Sequence, residues 1–508
     1  MESITSSTPM QLFLCTLSGY VVILFYRWLR SLHDPVRVLR HKNSRVWDSC
    51  RFADVFHRGY TPPWWLSIGT EMFAGSWHTI AHNIRRGVGE QHNTKYEREL
   101  LKLSDGGMVG IDWVLESYCP ATGETFKSPP LDDERYPIIF LHHGLAGSSD
   151  SHYVQSVVNP FLKSQKYRVV CMVARGCGGV PMTTPQGFSA AGSGDIGEAL
   201  NLIHDRYPSS YVFGVGWSLG GGLLARYIGT EGKRCRLSGA CVISPCWDYM
   251  ARSPYFHFWS RVFLAKSLVD YAKENEYALS KCDRINLKKG LSAVHIEEYD
   301  QHMVVPKHDK YTHVNDYYRD ASAVHVAKNI HVPTLSINAD DDPICSVIGC
   351  PDDLSKMGPG LTIVRTKRGG HTCWAKGLDI NETWMDEAIV TWINACYDDV
   401  IRESKVCHSA SAQSGGSKVE SATTKVERTG AKLERTETKL EAPPVKKIGD
   451  DNSDKKKSSF VKPILNKVET AYSSLQNSGE SNEQITTYAA ALAVAYCSYR
   501  YVRFLKST

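Results

Sequence analysis

From Pro137 to Thr366 the chain alternates short, wholly apolar runs with stretches of helical periodicity. "PIIFLHHGLAG" from Pro137 and "YRVVCMVARGCGG" from Tyr167 each carry an apolar run into glycine-containing turn residues. "DIGEALNLIHDRYP" from Asp195 has helical spacing and stops at Pro208. "YVFGVG" reads as a further buried strand, "GGLLARYI" as a helix, and "GACVISP" from Gly239 as the next strand. Apolar runs of this length are typical of strands buried on both faces, and alternation with helices predicts a parallel sheet covered on both sides. Upstream, "MVGIDWVLES" from Met108 alternates as a half-buried strand does; downstream, "TLSINADDDP" and "LTIVRTKRGGH" resume the series. The amphipathic "MDEAIVTWINACYDDVI" from Met385 closes it. The predicted class is α/β, with regular patterning from about Gly107 and one folded domain spanning 46–402.

Between about 246 and 332 the alternation lapses. An insertion that long is no ordinary loop. Phe256, Phe258, Trp259, Phe263 and Leu264 fall at helical spacing there, so the segment predicts a helical cap whose aromatic face, Trp259 and Phe263 included, would wall an acyl pocket or pack the cap on the core.

The two ends differ from this pattern. Pro9 to Tyr26 carries no charge, and with Trp28 and Leu29 about 20 residues match the ~30 Å hydrocarbon layer. No Lys or Arg precedes the stretch, whereas Arg27, Arg30, Arg37, Arg40 and Lys42 follow it. Residues 1–45 therefore predict an uncleaved signal-anchor with a basic flank, and the charge asymmetry puts the remainder in the cytosol, on the endoplasmic reticulum or another endomembrane. The aromatic segment 58–80 reads as irregular structure wrapping the core. Residues 403–480 turn to Ser, Thr, Lys and Glu, with Lys-aliphatic-Glu recurring every seventh residue from Lys418. One aliphatic per heptad is a poor coiled-coil seam, so a disordered or partly helical tail is expected, its partner unknown. The final segment, 481–508, holds an uncharged run from Ile485 that suits a helix lying on a membrane surface.

Composition narrows the function classes. A net charge of +5 over 508 residues gives no reason to expect nucleic acid as a partner. Fifteen cysteines without any C-x-x-C pair argue against a disulfide framework or a zinc site and for a reducing compartment. Neither a metal nor an organic cofactor is called for.

The chemistry sits at the strand ends. Gly216-Trp217-Ser218-Leu219-Gly220 matches G-x-S-x-G between a strand and a helix, where glycines permit the tight turn that exposes a nucleophile. A serine hydroxyl needs a base in hydrogen-bond reach, a carboxylate to orient that base, and backbone N–H donors for the oxyanion. The run Asp340-Asp341-Asp342 follows one later strand and Gly369-Gly370-His371 the next. The expected triad is Ser218, Asp341 and His371, in the chain order of α/β-hydrolases. Asp341 is preferred because it lies three residues past Asn338, taken as the strand's last position; Asp342 is the alternative. The backbone N–H groups of Leu145, in "HGLAG", and of Leu219 are the expected oxyanion donors. His142 and His143 read as structural. "GFSAA" at 187–191 is a near miss that follows no strand.

The pieces "HHGLAGSSDSHYV", "VARGCGG", "GVGWSLGGGLLARYIGTEG", "ISPCWD", "NDYYRDASA", "INADDDP" and "RGGHTCW" resemble the AB hydrolase 4 family over roughly residues 60–401. That family includes membrane-anchored phospholipases, monoacylglycerol lipases and medium-chain fatty acid ethyl ester synthase/esterases. The resemblance implies an α/β-hydrolase fold, the same Ser218, Asp341 and His371, and a lipid ester substrate: a medium-chain acylglycerol, a phospholipid or a fatty acid ester. Two departures stand out. Gly222 replaces the asparagine usual in the elbow helix, and the tail after Arg402 lies outside the family pattern. The same triad would also serve an acyltransferase that resolves the acyl-enzyme with an alcohol. A third reading makes the chain a membrane tether acting through its tail.

Overall fold

The computed structural model describes residues 36–42, 44–51, 53–63, 75–79, 93–119, 122–251, 258–376 and 383–414, with isolated positions 18, 19, 22 and 26. The expected signal-anchor, the heptad tail, the terminal interfacial helix and the side chain of Trp259 lie outside these residues. Among the described residues, no helix is long and apolar enough to cross a membrane.

Among the described residues, ten strands form one sheet: β1 (Arg37–Arg40), β2 (Asn93–Lys102), β3 (Met108–Cys119), β4 (Glu124–Lys127), β5 (Ile138–His142), β6 (Arg168–Val173), β7 (Val212–Trp217), β8 (Gly239–Ile243), β9 (Thr334–Ala339) and β10 (Leu361–Thr366). Their order is β1-β10-β9-β8-β7-β5-β6-β3-β2, with β4 beside β3. The run from β6 to β10 pairs in parallel. Both margins are antiparallel: β1 on β10, and β3 against β6, β2 and β4.

The parallel centre follows directly from the apolar runs. Every residue of β5 is buried, and alternate side chains serve opposite faces: Ile139 and Leu141 join one core, Ile138 and Phe140 the other. Helices α1 (Arg45–Cys50), α2 (Asp54–Arg58), α3 (His152–Lys163) and α9 (Trp384–Ser414) cover the first face through residues such as Val46, Phe56, Phe161, Ile389 and Trp392. Helices α4 (Gly194–Arg206) and α5 (Leu219–Glu231) cover the second through Ile196, Leu200, Leu224 and Ile228. Five of these buried aliphatics, at roughly 2 kcal/mol each, already match the stability of a whole domain before chain entropy is subtracted.

Regular structure begins well before Gly107. β2, "NTKYERELLK", interleaves its few apolar residues with charge because it lies at the sheet margin, so it lacks the apolar run that marks a central strand. β1 falls inside the stretch expected to be only a basic flank. Arg37 forms an ion pair with Asp340 and Arg40 reaches Asp48, so these arginines belong to the sheet margin. Between β8 and β9 lie α6 (Phe258–Glu274), α7 (Ile296–Met303) and α8 (Val314–Ala321), with short helical segments and turns between them. Phe263, expected either to wall a pocket or to pack the cap on the core, is instead 64% exposed, whereas Leu268, Val269 and Ala272 on the same helix are buried.

Asp112 ties an antiparallel strand to the loop beyond β5. Its carboxylate, 1% exposed, accepts two bonds from Arg98 at 2.6 and 2.7 Å and one from the Ser149 hydroxyl at 2.5 Å. Arg98→Ala would leave a buried carboxylate with one hydroxyl donor, a loss of about 3 kcal/mol. Thermal unfolding should show a clear drop in melting temperature; a change within error would contradict this role.

Candidate active site

The turn between β7 and α5 presents Ser218. Its backbone is left-handed, φ 53° and ψ −120°, a conformation rare for a residue with a side chain. The strain is held by its surroundings: the Ser218 N–H donates to Ile243 O at 2.8 Å, and its carbonyl accepts from Gly222 N at 2.9 Å. The flanking glycines are required for contact. A Cβ at Gly216 would lie 2.6 Å from Gly220 O, and one at Gly220 only 2.2 Å from His143 O.

His371 comes from the loop after β10. Its Nε2 lies 2.8 Å from Ser218 Oγ, while its Nδ1 lies 2.9 and 3.1 Å from the two oxygens of Asp342. A carboxylate only accepts, so Nδ1 carries the proton toward Asp342 and Nε2 is left to accept from the serine hydroxyl. The loop is seated by Gly370, at φ 60°, and by residues 75–79: the His371 N–H donates to Thr79 Oγ1 at 2.9 Å. Nothing in the sequence of the aromatic segment 58–80 signals this contact: residues 75–79, expected to be irregular, form a helical turn too short to show periodicity.

The acid differs from expectation. Asp342, not Asp341, faces His371. β9 runs one residue further than expected, through Ala339, so the position three past its end is 342. The Asp342 carboxylate is anchored by the N–H groups of Ile344 and Cys345, both at 2.8 Å. Asp341 turns away and accepts from Gly370 N at 2.9 Å, with His78 Nδ1 3.8 Å from its other oxygen. Burial pushes the Asp341 carboxyl up to about 7, against the lowering effect of Gly370 N–H and Arg368. Asp340 sits at the sheet edge and accepts from Arg365 at 2.7 Å.

The "HGLAG" loop abuts the serine: a Cβ at Gly144 would lie 3.2 Å from Ser218 Cβ. Tyr153 Oη accepts the Gly144 N–H at 2.9 Å, and its ring packs on Trp217. Leu145 and Leu219 both line a cavity of about 140 Å³ that opens at Ser218. His143 accepts from Ala174 N through Nε2 at 3.0 Å, which leaves Nδ1–H to donate to Gly144 O at 2.7 Å. Burial lowers His142 to about 3 and His143 to about 4, so both stay neutral and hold the loop. Among the described residues, no group of His, Cys, Asp and Glu is placed to hold a metal ion.

A serine on a strained strand-to-helix turn, a histidine bonded to it, and an acid behind that histidine on the loop after β9 are the parts of one recognisable scaffold. Residues 137–356 match the alpha/beta hydrolase fold family. The described sheet and its covering helices have the α/β-hydrolase fold. Among proteins similar to this chain, protein abhd-3.2 of Caenorhabditis elegans is 27% identical, over 68% of this chain and 87% of that protein. Phospholipase ABHD3 of Mus musculus is 27% identical, over 61% of this chain and 74% of its own. Medium-chain fatty acid ethyl ester synthase/esterase 2 of Saccharomyces cerevisiae is 26% identical, over 60% of this chain and 80% of its own.

The geometry separates the two candidate acids by experiment. Asp342→Asn should slow ester turnover on the order of 10³–10⁴-fold, because an amide can force the wrong imidazole tautomer. Asp341→Asn, whose side-chain oxygen still accepts from Gly370 N, should cost less than about tenfold. Steady-state kinetics on a soluble ester with both folded variants decides it, and the reverse order would reinstate Asp341.

Proposed function

We propose that the chain is a membrane-anchored serine hydrolase that cleaves carboxylic esters of lipids through an acyl-enzyme. The observation that carries this is His371 suspended between Ser218 Oγ at 2.8 Å and Asp342 at 2.9 Å, at the mouth of a cavity walled mainly by Leu, Phe, Tyr and Met. His371 takes the hydroxyl proton as Ser218 attacks the ester carbonyl. Asp342 holds the imidazole in the accepting tautomer and stabilises the imidazolium. The developing oxyanion is met by the backbone N–H groups of Leu145 and Leu219, each worth about 3 kcal/mol in the transition state. The imidazolium then protonates the leaving alcohol, and water, activated by the same histidine, releases the acid. The lipase, phospholipase and esterase names of the similar proteins support an ester-cleaving activity on lipids.

Membrane placement is part of the same proposal. The uncharged stretch from Pro9 to Tyr26, with arginines only on its C-terminal side, anchors the enzyme and leaves the catalytic domain in the cytosol. Tethering concentrates the site at the surface where lipid esters are found.

Ser218→Ala should abolish labelling by a fluorophosphonate probe while expression and melting temperature persist; undiminished labelling would assign the nucleophile elsewhere. In sealed microsomes, the labelled domain should be digested by added protease without detergent. Protection until detergent is added would put the domain in the lumen.

A further inference from the structure

Two thiols meet in the wall of the cavity at Ser218. Cys246 stands on the loop after β8 and Cys345 on the loop after β9, and both line the cavity. The Cys345 thiol is hydrogen-bonded to the Cys246 side chain. Each loop also supports the triad. The Cys345 N–H is one of the two that anchor Asp342, at 2.8 Å. Ser244, on the Cys246 loop, accepts the Thr372 N–H at 3.2 Å, next to His371. A Cβ at Gly222 would lie 3.3 Å from Cys246 O, so the helix that begins at the nucleophile packs on the same loop. The two thiols differ in what reaches them. Cys345 is 4% exposed, and its bond to Cys246 together with burial pushes its thiol up, so it keeps its proton. Cys246 is half-buried and is the thiol open to a small solute in the cavity. Cys350, the next cysteine along the chain, is buried and does not line the cavity. In the reducing cytosol proposed above, thiols in contact stay reduced, and a disulfide formed there is typically transient and redox-sensing.

We propose that Cys246 and Cys345 form an oxidation site through which a peroxide switches the hydrolase off by a reversible disulfide. The inference rests on the hydrolase reading above and names a regulation of that site. Cys246 sulfur attacks one peroxide oxygen and the O–O bond breaks. The other oxygen leaves as water with the Cys246 thiol proton, and Cys246 becomes a sulfenic acid. Cys345 sulfur then attacks Cys246 sulfur and the S–O bond breaks. The hydroxyl leaves as a second water with the Cys345 proton, which the hydrogen bond already aims at Cys246. Two thiols give up two electrons in all, and one peroxide is reduced to two waters. The new bond draws the sulfurs to about 2.05 Å, well inside hydrogen-bond contact. Closing that gap moves the Cys345 backbone, and its N–H leaves Asp342 Oδ1. The acid is then held by Ile344 N–H alone of its two anchors, and the imidazole it orients is held less firmly.

The experiment treats the full chain in detergent micelles with hydrogen peroxide, then follows turnover of a soluble ester and maps the cysteines by peptide mass. Wild type should lose turnover on the order of tenfold or more, since small misplacements of a catalytic group are costly. It should carry a linked Cys246–Cys345 peptide, and dithiothreitol should remove the link and restore turnover. Cys246→Ser and Cys345→Ser, each measured against its own untreated sample, should keep most of their turnover through the same treatment. Three results overturn the inference and leave the hydrolase reading in place: no Cys246–Cys345 link in wild type, a link without loss of turnover, or an equal loss in Cys246→Ser. Reduced wild type that neither cleaves the ester nor takes a fluorophosphonate label at Ser218 overturns the hydrolase reading, and the inference with it.

Discussion

An imidazole held from both sides is the interaction on which the rest of this structure turns. His371 must present one nitrogen to Ser218 Oγ and the other to an acid, and its neutral ring can do so in only one tautomer. The three groups lie 153 and 29 residues apart in the chain. They meet because β7, β9 and β10 run parallel and end on the same side of the sheet. The sheet's own requirement for crossover helices and two apolar faces therefore also decides where the chemistry can be.

The neighbours of the triad restrict what each group can do. The Ile344 and Cys345 N–H groups stabilise Asp342 in place, and the Thr79 hydroxyl fixes the backbone of His371. Three consecutive aspartates thereby acquire three environments. Asp340 is spent on sheet-edge arginines, Asp341 on the backbone of the histidine loop, and Asp342 on the imidazole. The chain turns directly after Ala339, with the Asp342 N–H donating to Ala339 O at 3.2 Å, so the adjacent identical side chains leave the turn toward different partners.

The cap divides the labour differently. The central sheet supplies reacting groups from strand ends, whereas α7, the turn after it and α8 bring Asp300, Lys307 and Tyr318 to the cavity from an insertion outside the alternating pattern. Selection of the substrate can thus vary in the cap without disturbing the turn that carries Ser218, which the glycines at 216 and 220 hold against adjacent backbone.

The apolar runs, the helical spacing between them and the glycine-flanked serine were enough to read the parallel core, the strand-end position of Ser218 and the loop that brings His371, since each is a local pattern of burial or backbone shape. The marginal strands β1 and β2 were not legible, because an edge strand needs neither an apolar run nor an uncharged one. Choice among Asp340, Asp341 and Asp342 required the true end of β9 and the turn that follows it, which decide where each carboxylate points. Thr79 came to light only in the folded molecule: its contact with the His371 backbone depends on distance in space, which chain order and residue type leave open.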